Sequence, residues 1–135
     1  MAMLQQIKNK IVAPTIPRHA EYYNATATTS TYYTLLDITE GKGILSKVIC
    51  AADASSASTA ELDIKVTIDG VLTTFSPTTN SIYGLSDMTY NEFSTDSCVF
   101  RWDGITNFYS SLKIEVQHTI GTNTKLSAYA QCSLE

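Results

Sequence analysis

A lysine set between two glycines is the first place to look for chemistry in this chain. Residues 37–45 read DITEGKGIL, and Gly41-Lys42-Gly43 has the look of a loop that holds phosphate. A Walker loop needs GxxxxGK[ST] between a strand and a helix, so that backbone N–H groups and a hydroxyl meet the phosphates. Here Ile44 ends the run of Gly41-Lys42-Gly43, no Ser or Thr follows the lysine, and the downstream pattern is that of a strand. Without a helix N-terminus there is no dipole to favour an anion. The stretch therefore reads as a corner. Ile38 ends one strand, Glu40 to Gly43 turn on glycines that supply unusual φ, and Ile44 opens the next strand. Lys42 is expected to face solvent.

The other reactive side chains are scattered. Acid–base catalysis needs paired groups in a cleft. His19 lies in a Pro-flanked segment, and His118 lies near a strand end on the core parity, where a local hydrogen bond suits it. No serine sits in GxSxG, so no nucleophile elbow is expected. Cys50, Cys98 and Cys132 form no CxxC pair and have no activating base nearby in sequence. They read as small buried hydrophobes of a reducing compartment. Asp37 and Glu40 flank a turn, where solvated carboxylates are ordinary. The acidic residues between 87 and 96 lack EF-hand spacing. The chain is read as no enzyme, with no cofactor and no metal.

The elements that position these residues are strands. Ala60, Leu62, Ile64, Val66 and Ile68 alternate with Glu61, Asp63, Lys65, Thr67 and Asp69, so one face is buried and the other wet. Asp69-Gly70 then predicts a hairpin into residues 71–75, because a type I′ turn needs positive φ at both central positions. Leu112, Ile114, Val116 and His118 form a second alternating run. Gly121-Thr122-Asn123 predicts a turn into a third, Leu126, Ala128, Ala130 and Cys132. These last two runs read as a second hairpin. Residues 31–39 place Tyr32, Leu36 and Ile38 on one parity; residues 43–52 are apolar on both. Cys98 to Trp102 reads as a short strand stopped by Asp103-Gly104, and a strand over 21–28 is also indicated. Seven or eight short antiparallel strands predict an all-β fold, a β-sandwich or jelly roll, with a small barrel as the alternative.

Two segments stand apart. Leu4, Ile7 and Ile11 have helical spacing before Pro14 and Pro17. Residues 1–19 therefore read as an N-terminal arm, loose or docked on a neighbouring subunit, and residues 20–135 as the sandwich domain. Residues 76–97 show no sustained period, so they hide a short strand or form a functional loop. Tyr83, Tyr90 and Phe93 beside Asp87, Glu92 and Asp96 make that stretch the candidate contact surface. Trp102 shares parity with Cys98 and Phe100 and reads as core. Exposed beside Tyr83 and Tyr90, it would instead form a sugar-stacking platform.

Bulk composition narrows the partners. The net charge is −4 with a pI near 5.0, and the basic residues do not cluster, which argues against nucleic acid. No run reaches the roughly 18 apolar residues of a membrane span, so no membrane insertion is expected. Only 16% of residues are charged, against about 25% in an average globular chain. Ser, Thr and Tyr fill the gap and offer sheet faces able to pack on copies of the same chain.

Four segments carry a resemblance. The strand leading into DITEGKGIL, the hairpin LDIKVTIDGV, FYSSLKIEV and the closing KLSAYAQCSL resemble phrases of small virion proteins of tailed bacteriophages and prophages. The resemblance covers residues 31–75 and 98–134. It implies a β-sandwich with a structural or host-contact role in the tail, the tail tip or attached to the head. It also implies a symmetric homo-oligomer in contact with other virion proteins, assembled in the bacterial cytoplasm. A host-surface glycan is the partner that the contact residues would add. A carbohydrate-binding module is the alternative function.

Overall fold

The structure, a computed structural model, describes residues 16–54, 61–76, 97–119 and 124–135, together with the backbone of residues 88–93. Nine strands are present among them: β1 (Ile16–Ala27), β2 (Tyr33–Ile38), β3 (Gly43–Ala54), β4 (Leu62–Ile68), β5 (Val71–Phe75), β6 (Met88–Phe93), β7 (Ser97–Phe108), β8 (Leu112–His118) and β9 (Thr124–Leu134). They form two antiparallel sheets, ordered β1-β9-β3-β7-β6 and β2-β8-β4-β5. The first strand pairs with the last, β2 with β8, β3 with β7 and β4 with β5. A long antiparallel ribbon folded over onto itself in this nested way is a jelly roll, with β6 added at one margin.

This order corrects the second predicted hairpin. β8 pairs with β2 and β4, whereas β9 pairs with β1 and β3 in the other sheet. The two strands therefore belong to different sheets. Alternation marks a strand with one buried face, and it is the same whether the next strand is a neighbour or lies opposite. The first hairpin stands as predicted: Asp69 and Gly70 have φ of 51° and 83°, and β4 pairs directly with β5.

The apolar residues of both sheets meet in one core. Leu45, Val48 and Cys50 of β3, Phe100 and Trp102 of β7, and Leu126 of β9 face Ile64 and Val66 of β4 and Leu112, Ile114 and Val116 of β8. Phe75 and Phe100 join the layers, their ring centroids 5.4 Å apart. Trp102 is fully buried, as its parity predicted.

Three bulges explain where simple parity failed. In β3 the register shifts between Leu45 and Lys47 against both neighbours, so Ser46 is an extra residue. An extra residue turns each later side chain over, which places Leu45 and Val48 on the same face. The strand's apparent two-sided apolarity comes partly from this shift. In β2 the register shifts between Thr34 and Leu36. Tyr32 therefore does not share a face with Leu36 and Ile38. It sits under the Lys65 ammonium, 3.9 Å from the ring centroid, while Tyr33 stacks on Tyr22 with centroids 5.1 Å apart. In β7 the strand runs on through Asp103-Gly104 to Phe108, because Gly104 and Ile105 form the bulge opposite Ser46.

β1 begins at Ile16, so Pro17, Arg18 and His19 are strand residues. The helical spacing at Leu4, Ile7 and Ile11 lies outside the described residues. The stretch 76–97 contains a strand, β6, as one of its two readings required.

All three cysteines are buried. Loss of solvation pushes the Cys50 thiol far above its ordinary range, with Cys98 adding to it, and raises Cys98 to about 11 and Cys132 above its usual value. A thiol-specific reagent at pH 8 is expected to modify none of the three in the native protein and all three in denaturant. The linkage has a sign. A thiol held neutral in the fold stabilises it fully below the unfolded value of about 8.5. That contribution is lost as pH rises toward the folded value, about 11 for Cys98. Urea midpoints should therefore fall on the alkaline side above about pH 8.5.

Candidate functional site

The corner at DITEGKGIL joins the two sheets, since β2 and β3 lie in different layers. It is locked from two sides. Gly41 N–H donates to the Ser110 carbonyl at 2.9 Å, and the Glu135 N–H donates to the Lys42 carbonyl at 3.0 Å. Lys42 faces solvent as expected, its side chain 61% exposed, and there it pairs with the Glu135 carboxylate at 3.1 Å. The exposed pair itself contributes little. Gly43 is required for room and not for φ. A Cβ there would lie 1.9 Å from the Ser133 carbonyl oxygen of β9 and 3.0 Å from Phe108 Cζ.

The turn at Asp69 is the second lock. Its carboxylate accepts from the backbone N–H groups of Tyr109 (2.9 Å), Ser110 (2.7 Å) and Ser111 (3.1 Å) and from the Ser110 hydroxyl (3.0 Å). Its own N–H donates to the Ser111 carbonyl at 3.0 Å. Successive N–H groups in a turn form a nest for an anion, and Asp69 fills it. The N–H groups of Ser110 and then Ser111 hold this carboxyl below the usual carboxylate range. The aspartate thus sets the hairpin turn and also ties it to the β7–β8 corner. A carboxylate with a depressed folded pKa stabilises above its unfolded value of about 3.9, and the gain is lost as pH falls through the folded value. Asp69→Asn should melt below the parent at pH 6, and the gap should close as the pH is taken below about 4.

The three turns 39–42, 69–70 and 109–111 are therefore laced at one end of the sandwich, and large apolar side chains gather there. Ile44, Val71, Leu72, Ile105 and Tyr109 are exposed, Ile105 by 74%. Ile16 reaches the same end through its pairing with Leu134, the partner of Gly43. Among the described residues only Tyr23 is a large exposed hydrophobic elsewhere. A cleft of about 340 Å³ opens at this end between Lys42, Ile44, Asn107, Tyr109 and Ser133. Here hydrogen-bonded turns lie beside uncovered apolar side chains, and exposed apolar surface of this kind is a common feature of contact surfaces.

Most other charged and polar side chains of interest have local partners. On the outer face of the four-stranded sheet, Asp63 accepts from Gln117 Nε2 at 2.9 Å and from the Ser76 hydroxyl. Asp103 pairs with Arg101 and with Lys47. His118 is fully buried and donates from Nε2 to the Ala27 carbonyl at 2.8 Å. The bond is local in space but spans 91 residues of sequence. His19 stacks on Tyr129 with centroids 6.0 Å apart. Asp37 and Glu40 are both exposed beside the corner. Among the described residues no three metal-ligating side chains converge.

The sequence-derived contact residues are divided. Tyr83, Asp87 and Asp96 lie outside the described residues. Tyr90, Glu92 and Phe93 are placed on β6, where Tyr90 is the register partner of Arg101, Glu92 of Val99 and Phe93 of Cys98. Burial of Trp102 removes the centre of the proposed sugar platform. The apolar end was missed. An apolar residue in an alternating run signals the core, and nothing local marks Val71 or Ile105 as uncovered.

Strand order and exposure together define a jelly roll with exposed apolar side chains at one end. No family model matches the chain, and no curated protein matches it. The chain is similar to the structure of infectious bursal disease virus Gx strain, with 11% identity and a TM-score of 0.38, over 90% of this chain and 33% of that one. It is also similar to the infectious bursal disease virus VP2 subviral particle, with 14% identity and a TM-score of 0.23, over 87% of this chain and 39% of that one. The chain thus spans between a third and two-fifths of the viral chains it matches. At these values the likeness carries no argument, and the jelly-roll assignment rests on strand order alone. No helix among the described residues is long and apolar enough to cross a membrane.

Proposed function

We propose that this protein is a structural component of a bacteriophage or prophage virion, a tail or tail-tip protein without catalytic activity. It acts by packing against other virion proteins and against copies of itself. The carrying observation is the laced end, where exposed Ile44, Val71, Leu72 and Ile105 lie on strands near the turns tied by Asp69 and Gly41, and exposed Tyr109 lies on one of those turns. Uncovered apolar surface on a rigid support suits permanent association with a partner. The resemblance of four chain segments to small virion proteins supplies the kind of assembly, since a jelly roll by itself serves many functions.

The test is the composition of purified particles. Particles released from a host carrying the gene, banded by density and analysed by mass spectrometry, should contain the chain in fixed ratio to the other structural proteins. A chain found abundantly in the lysate and absent from the particles would overturn the proposal.

A further inference from the structure

We infer that β1 is an interface strand, pairing antiparallel with β1 of a second copy across a two-fold axis. The inference deepens the assembly reading above and rests on it only for self-association.

Three observations carry it. First, β1 lies at the margin of its sheet and pairs only with β9 among the described residues. The four-stranded sheet ends in β2, with six residues and a bulge, and in β5, with five residues. A long edge strand is the stronger template, because each free N–H and C=O can join a new ladder. Second, the register of β1 is unbroken from Ile16 to Asn24 and shifts only after Asn24. A two-fold that uses this whole regular stretch has its axis at the middle residue, Ala20. Third, that axis makes the strand self-complementary. His19 falls opposite Glu21 of the second copy, and the contact occurs twice. Pro17 falls opposite Tyr23 of the second copy, which covers a ring that is 66% exposed in the single chain. Moving the axis by one residue to Glu21 sets Glu21 against its own copy, and like charges directly opposite are unfavourable. Pro17 lacks an N–H, so one ladder bond near each end is lost, and the centre keeps its own. The interface is isologous and closes as a dimer.

Sedimentation equilibrium over a range of concentrations tests it on the full chain. The parent should show a monomer–dimer equilibrium. His19→Glu, which sets two carboxylates against each other twice, should weaken the dimer about tenfold at pH 7, whereas Glu21→Lys, which only removes the carboxylate opposite the imidazole, should weaken it less. The double variant, His19→Glu with Glu21→Lys, sets opposite charges against each other and should return the dimer to at least near-parental strength. Both sites are on the exposed face of β1, so circular dichroism should be unchanged in all three variants. A parent that stays monomeric at high concentration overturns the interface. So does a dimer indifferent to both single variants, or one that the double variant fails to rescue. Presence of the chain in purified particles together with any of these results removes this interface and leaves the virion reading standing.

Discussion

Trp102→Ala should lower the stability of the fold by about 3–5 kcal/mol, the usual loss for removing a large buried aromatic side chain. Trp102 has no solvent exposure and sits on β7 between Val48 of β3 and Thr89 of β6 in register. Two sheets close over it, and backbone ladders on both sides prevent the cavity from collapsing. Against a total stability of about 5–15 kcal/mol, a loss of this size brings the protein near its unfolding threshold. Urea denaturation followed by circular dichroism measures it. Trp102→Phe is the control. It keeps a ring and removes an indole N–H that has no partner among the described residues. It should therefore cost clearly less than the alanine variant. In the parent the emission of this sole tryptophan should be blue-shifted and should move to the red on unfolding. A loss below about 1 kcal/mol for Trp102→Ala would mean that the ring does not hold the sheets together.

Gly43→Ala is the second large effect, and it comes from a backbone contact. The added methyl would meet the Ser133 carbonyl oxygen at 1.9 Å and its carbon at 2.9 Å. No rotamer change relieves a clash with a main-chain atom, so β3 and β9 must separate where Gly43 pairs with Leu134. The cost should be at or above the roughly 1–3 kcal/mol of ordinary overpacking. Gly70 makes the comparison informative. A Cβ at Gly70 meets nothing within 4 Å, but its φ is +83°. Asparagine tolerates the left-handed region. Gly70→Asn should therefore be mild, whereas Gly43→Asn should be as damaging as Gly43→Ala. Equal losses at the two positions in thermal melts would show that room at Gly43 is not the constraint.

These two residues also show how far sequence reading reached. Trp102 was legible because it shares parity with Cys98 and Phe100 in an alternating run. Gly43 was recognised as a corner glycine, but for the wrong reason. Its φ is not the constraint, and its need for space depends on β9, which arrives some ninety residues later in the chain. Asp69 was predicted as a turn residue from its neighbour Gly70. Its second role, filling the nest at 109–111, depends on a corner 40 residues away. The contact surface followed the same rule. Aromatics at Tyr83, Tyr90 and Phe93 were visible by composition, while nothing in the local pattern marked Ile105 and Val71 as exposed, because apolar alternation has no sign for an uncovered end.

Local periodicity by itself determined that this chain makes half-buried antiparallel strands, where the β4–β5 hairpin turns, and which residues of β4, β8 and β9 face inward. These follow from the two-residue repeat of an extended backbone and from the φ that a tight turn imposes. Only the tertiary structure decided which strands are neighbours, where the bulges at Ser46 and Leu35 reverse the faces, and which apolar side chains remain uncovered. Each of those depends on a second strand distant in sequence, whose hydrogen bonds and backbone atoms fix register and space.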